Sequence, residues 1–200
     1  MATRDARPKG FLLVLMQPPP TLEEEFNAWY DTEHIPERAA VPGIRSALRF
    51  VCLDGHPRYL AMYDLDHFGV LESEAYLRVA YDRSSPWTKR VTSRVTIYRS
   101  AGEQIHAASG VTGRCARLQL LRFRGLKAAD GKAVIAAVRA QFEGQAEVTQ
   151  TRILAYDTGR AGIDYLGLVE ARAPFTVPLD TTAFGAHAEA LDLVNSYAPY

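Results

Sequence analysis

No sign of charge prevails in this chain: 23 lysines and arginines balance 23 aspartates and glutamates. Without a net field there is nothing to concentrate nucleic acid, anionic lipid or a highly charged substrate. The expected partner is a small or neutral molecule, or another protein. Cysteine is scarce. Cys52 and Cys115 stand about sixty residues apart, lack the close pairing of zinc sites or disulfide frameworks, and read as buried free thiols in a reducing cytoplasm. Long hydrophobic runs are also missing. The start, MATRDARPKG, is polar, and the apolar run after it stops at Met16, too short for a membrane span or for a secretion signal with its cleavage site. The chain has no G-x-S-x-G, P-loop, dinucleotide fingerprint or Cys-x-x-Cys, which removes the sequence support for hydrolase elbows, nucleotide cradles and zinc ribbons.

What is present is apolar patterning. Of 200 residues, 48% are hydrophobic, enough for one large domain or two small ones that lean on each other. Residues 11–16 (FLLVLM) are continuously apolar and end at Pro18, Pro19 and Pro20, as suits a central strand buried on both faces. Thr21 and Glu24 have capping-box spacing, and Phe26, Trp29, Tyr30 and His34 recur at helical intervals before Pro42-Gly43. The pattern predicts a helix over 22–40, loosened near Pro36. Residues 44–53 and 59–65 form a hairpin about Asp54-Gly55-His56-Pro57, a second helix follows over 70–81, and the β-branched run 91–99 is a strand. This β-α-β-β-α-β order is the split ferredoxin-like unit.

Residues 100–113 are small and polar, and a linker is placed at 104–113. The order then restarts, with a strand at 114–123, a helix at 132–142, a hairpin over 146–156 and 164–171 around Thr158-Gly159, a helix at 180–191 and a strand at 192–200. Each four-stranded sheet would carry helices on one face only, so packing the two bare faces together buries both. The expected fold is α+β, two fused ferredoxin-like repeats (1–103 and 114–200) closing an intrachain dimeric α+β barrel. The first repeat holds the pocket and the second is mainly structural.

The segment from Phe26 to Phe50, with YLAMYDLD and the run Ser85 to Val91, resembles the EthD-like branch of the dimeric α+β-barrel superfamily. The shared features are an aromatic-rich helix, His-x-Pro at His34 to Pro36, and Pro42-Gly43 before the second strand. The likeness covers about half the chain; in the second half only the element order agrees. It implies small enzymes that mostly act without an organic cofactor on hydrophobic phenols, quinones or lactones: polyketide cyclases, anthrone monooxygenases, isomerases, dehydratases and decarboxylases. Haem-binding branches and members without assigned activity belong to it too, so the reaction is not fixed by it.

His34 is the leading catalytic candidate, because imidazole exchanges protons at cellular pH, and Tyr30, one turn earlier, shares its face as a hydrogen-bond donor. The competing reading is a helix-terminal histidine that caps carbonyls. Phe26, Trp29, Tyr63, Tyr76 and Trp87 are candidates to line a substrate pocket, against their ordinary role as core. Among Arg45, Arg49 and Arg90, Arg49 is the candidate to hold a phenolate or carboxylate, while solvation at the surface is the default for all three. No metal is expected, since Asp31, Glu33, His34 and Glu37 spread around the helix. Haem through His187 lacks a nameable second partner. The expected function is cofactor-independent acid-base catalysis on a hydrophobic phenolic or ketonic molecule, of cyclase, isomerase, dehydratase or decarboxylase type. The alternatives are a non-catalytic binding barrel and a cofactor-free monooxygenase. The expected setting is cytoplasmic, without nucleic acid or membrane partners, and with pairing into a homodimer left open.

Overall fold

The computed structural model describes residues 7–107, 110–159 and 162–200. The start of the polar N-terminus, residues 108–109 of the expected linker and residues 160–161 of the second hairpin turn lie outside the described residues. Eight antiparallel strands close a barrel in the order β1-β3-β2-β8-β5-β7-β6-β4. They are β1 (Gly10–Gln17), β2 (Ile44–Cys52), β3 (Tyr59–Leu65), β4 (Thr96–His106), β5 (Arg117–Leu126), β6 (Val148–Asp157), β7 (Ile163–Ala171) and β8 (Leu191–Pro199). Each repeat keeps the ferredoxin-like order, its fourth strand beside its first, then its third, then its second. Two seams join them, β2 to β8 and β4 to β6. The expected fold, a fused dimeric α+β barrel, is the fold observed.

The hydrophobic effect explains the layers. Side chains alternate across a strand, so β1 sends Phe11, Leu13 and Leu15 inward and Leu12 and Met16 outward. The inward set meets Leu118, Leu120, Leu154, Leu166 and Leu168 of the second repeat, a core that neither repeat could complete alone. Outside the barrel, one cluster lies under the helices of the first repeat and another under the long helix of the second.

The first helix begins as α1 (Glu23–Trp29), widens into a π turn at Tyr30–His34 and resumes as α2 (Ile35–Ala39). The cause is Pro36, which donates no backbone hydrogen bond and crowds the carbonyl four residues back. The wider turn absorbs it, the Ile35 amide reaching back to the Tyr30 carbonyl.

Several expectations are corrected. The helix over 70–81 survives only as the single turn α3 (Glu74–Leu77) between short 3₁₀ segments, because Ser73 restarts the backbone by capping Tyr76. The strand placed at 91–99 begins late: Ser85 caps and Pro86 opens α4 (Pro86–Thr92), which takes in Val91 because that residue is wholly buried in the outer cluster. Strand β4 then runs to His106, through residues expected in the linker. In the second repeat α5 (Gly131–Phe142) matches the expected helix, but residues 181–190 form 3₁₀ turns broken at Gly185, whose φ is 53°. Cys52 ends β2, whereas Cys115 sits just before β5 rather than in it, and both thiols are free.

Candidate active site

Strand β3 turns Tyr63 outward, and helices α1 and α2 cover it with one aromatic face. Phe26, Trp29, Tyr30, Tyr63 and Tyr76 all belong to the buried cluster of the first repeat. His34 joins them through the π turn. Its ring lies 4.4 Å from that of Trp29 and 5.0 Å from that of Tyr30, centroid to centroid. The residue is partly exposed, yet its Nδ1 atom is sealed from solvent and has no hydrogen-bond partner among the described residues. Burial holds the His34 pKa well below the usual imidazole value, and the positive charges of Arg38 and Arg49 add to the effect. The ring is therefore neutral at pH 7.

The phenols are protected in the opposite sense. Burial raises the Tyr63 pKa to about 12 and pushes that of Tyr30 well above its ordinary value. The Tyr30 hydroxyl donates to Met16 Sδ at 3.4 Å. Among the described residues the buried Tyr63 hydroxyl makes no well-formed hydrogen bond, although the Tyr30 hydroxyl interacts with it and partly offsets the effect of burial on its pKa, and a polar group so placed costs stability unless something in the working protein meets it. A neutral base and a neutral phenol thus share one apolar layer.

Trp29 Nε1 donates to Thr88 Oγ1 at 2.9 Å, and Thr88 and Ser85 both donate to Glu33 Oε1, locking α4 against the π turn. Trp87 packs against the edge of the same cluster, and its indole donates to Glu25 Oε1 at 3.1 Å, near the start of α1. The default expectation of a solvated Arg49 is corrected. That guanidinium is 8% exposed, donates to Asp31 Oδ1 and Asn27 Oδ1 at 2.6 Å each, and lies over the rings of Tyr30 (4.3 Å) and Tyr200 (3.9 Å). Arg45 and Arg90 instead pair at the surface with Asp66 and Glu25.

Two further residues escaped the sequence reading. Arg38 follows His34 by four positions, is 5% exposed, donates to the Val79 carbonyl and lies 5.2 Å from the Tyr76 ring centroid. Its helical spacing from His34 was the available signal. Glu37 has one buried carboxylate oxygen without a partner, and burial, then the nearby Glu33 charge, raises its pKa. Among the described residues, no group of three or more histidines, cysteines, aspartates and glutamates could hold a metal ion.

Neither of two surface cavities reaches His34. One, of about 310 Å³, lies at the β2–β8 seam beside Asp31, Ile35, Arg49, Arg114 and Tyr200. The other, of about 590 Å³, lies at the β4–β6 seam beside α5. The second was not foreseen, because it depends on strands that are fifty residues apart in sequence.

The fold and its closed eight-stranded wall define the class, a dimeric α+β barrel built from one chain. Among solved structures, an anthrone oxidase-like protein superposes with a TM-score of 0.70 at 14% identity, covering 99% of this chain and 93% of that one. A "putative monooxygenase" of Lactobacillus acidophilus NCFM superposes at 0.54 with 9% identity, covering 97% and 94%. A chlorite dismutase variant from Candidatus Nitrospira defluvii superposes at 0.55 with 9% identity, covering 96% and 91%. At these identities the likeness is one of fold. No protein-family model and no curated protein sequence matches the chain. No helix of the described residues is long and apolar enough to cross a membrane.

Proposed function

We propose that this protein is a cofactor-independent acid-base enzyme of the EthD-like kind, acting on a hydrophobic phenolic or ketonic molecule in its first repeat. The observation that carries the reading is the presence, in one aromatic layer, of a neutral His34 and of a neutral Tyr63 phenol, with neither the His34 Nδ1 atom nor the Tyr63 hydroxyl in a well-formed hydrogen bond among the described residues. A carbon acid beside a carbonyl loses its proton to His34, the C–H electron pair moves onto the carbonyl oxygen, and Tyr63 donates to that oxygen. Tyr30 holds the ring geometry, and Arg38 and Arg49 add positive charge that favours the enolate and disfavours the imidazolium. The proton therefore returns readily to a different carbon, as isomerisation requires, or to a departing hydroxyl, as dehydrative cyclisation requires. Phe26, Trp29 and Tyr76 form the apolar wall, and Trp87 its outer margin. Arg49 serves the site through its stacking on Tyr30 rather than as a free fork for a carboxylate.

A second reading has support of its own, the superposition on an anthrone oxidase-like protein over nearly the whole of both chains. In it the same carbanion passes electrons to dioxygen, and the enzyme is a cofactor-free monooxygenase. Both readings begin with deprotonation by His34, so one experiment serves both. Phenols, anthrones, naphthoquinones and unsaturated lactones are screened by thermal shift, and stabilising compounds are then assayed for turnover with and without oxygen uptake. The expected result is turnover that falls about 10² to 10⁴-fold in His34→Ala. Wild-type turnover in that variant would overturn the assignment. We further propose a mainly architectural second repeat, a cytoplasmic setting consistent with two free thiols, and pairing of barrels along the part of β2 before Phe50, which among the described residues has a strand neighbour only on its β3 side. Sedimentation tests the pairing.

A further inference from the structure

The larger of the two cavities lies at the seam between the repeats, and His34 is not among its lining residues. Its walls are β4 of the first repeat, β6 and β7 of the second and the opening turns of α5, so it straddles a seam that exists only because the repeats are joined. Small side chains make the space: Ala101, Ala128, Gly131 and Ala155 all face it. Tyr165 keeps it from collapsing. Its hydroxyl is shared between the carbonyls of Lys127 at 3.1 Å and Ala128 at 3.3 Å, which props the start of α5 one ring's length above β7. The fit is close, since a Cβ on Gly131 would come within 3.0 Å of that hydroxyl.

The wall is apolar and part of it is bare to water. Phe68 and Ile105 are 37% and 41% exposed, and Ile135 and Ile163 complete the surface. Apolar area held open in a concave space of this volume is what small organic ligands bury. The charged lining residues, all exposed, are Lys132, Glu103 and Asp157, one ammonium and two carboxylates. The side chains of Lys132 and Glu103 make no hydrogen bond or ion pair among the described residues. A molecule with several negative charges would meet two like charges here. A planar molecule offering a carbonyl or single phenolate oxygen to Lys132, and hydroxyl protons to the carboxylates, would satisfy all of them.

We propose that this seam cavity is a second ligand site, which binds a hydroxylated aromatic ketone independently of the chemistry at His34. The second repeat, architectural with respect to the chemistry at His34, then supplies one wall of a separate recognition site. The probe is 1,8-dihydroxyanthraquinone, three fused rings with hydroxyls beside a carbonyl, titrated into the full chain and followed by calorimetry and visible absorbance. Saturable binding is expected in the wild type, and a site with the same dissociation constant persists in His34→Ala whatever that substitution does to binding in the first repeat. Ile135→Trp, which fills the cavity, raises that constant at least tenfold. Lys132→Glu, a surface change that does not threaten folding, also weakens binding by about tenfold. The proposal is overturned if the wild type shows no saturable binding, if both cavity variants bind as the wild type does, or if binding disappears in His34→Ala. The last outcome would place the ligand in the first repeat and leave the catalytic reading standing.

Discussion

His34 is kept neutral by burial and by two cationic neighbours, and this has consequences for both activity and stability. Its folded pKa lies below the unfolded value of about 6.5, so below that pH the unfolded chain binds more protons and stability falls as pH drops. Urea denaturation at two pH values checks this. Wild type should lose more stability than His34→Gln between about pH 6.5 and pH 5, and equal losses would show that His34 is free to protonate in the fold. Activity should behave differently. With the base already neutral and the Tyr63 hydroxyl protonated up to about pH 12, kcat/KM should run flat from pH 6.5 to 9 on any substrate the screen supplies. An inflection near pH 6.5 would reveal an ordinary, solvated histidine. The thiols are quiet for a related reason: burial raises the Cys115 pKa to about 11 and that of Cys52 above its ordinary value. Little reactive thiolate is present at neutral pH.

At the scale of elements, the site depends on a helix that is not uniform. The π turn between α1 and α2 places His34 against Trp29 and Tyr30 while keeping Arg38 one turn further on, beneath Tyr76. Helix α4 holds that turn from the side through Ser85, which caps its own helix at the Thr88 amide (2.9 Å) and donates to Glu33. Ser85→Ala removes both bonds. It should cost about 1 to 2 kcal/mol and weaken activity through the displaced π turn, whereas Ser85→Thr should restore most of the stability. Equal stability of the alanine variant and the wild type in urea would sink the claim.

The whole molecule is joined by its interior. Arg152 of β6, 0% exposed, donates from Nη1 to Asp64 of β3 at 2.6 Å and to Gln104 of β4 at 3.1 Å. Its Nη2 reaches Glu170 of β7 at 3.4 Å and the Thr112 hydroxyl. Asp64 also accepts from the Thr112 amide at 2.7 Å and from Ser46 at 2.6 Å. One buried cation therefore ties both repeats and the segment between them. Arg152→Met would leave two carboxylates inside the barrel without their counter-charge and should destabilise the fold by about 3 to 5 kcal/mol. Asp64→Asn should be milder, since Glu170 remains to pair with the arginine. A single cooperative transition for wild type, with no separately melting repeat, follows from the shared inner core.

Periodicity alone determined most of the architecture. The unbroken apolar run of β1 announced a strand buried on both faces, and the element order, repeated once, implied two sheets that must cover each other. The helical spacing of Phe26, Trp29, Tyr30 and His34 put them on one face before any coordinates were needed. Tertiary packing decided the rest, wherever a residue's environment comes from strands far away in sequence. Val91 became helical because the first repeat's core had room for it. Arg49, by type a surface residue, became buried because Asp31, Asn27 and the Tyr200 ring converge on it. The inner ion network and the seam cavity depend on β4 meeting β6, a contact that local patterning does not encode.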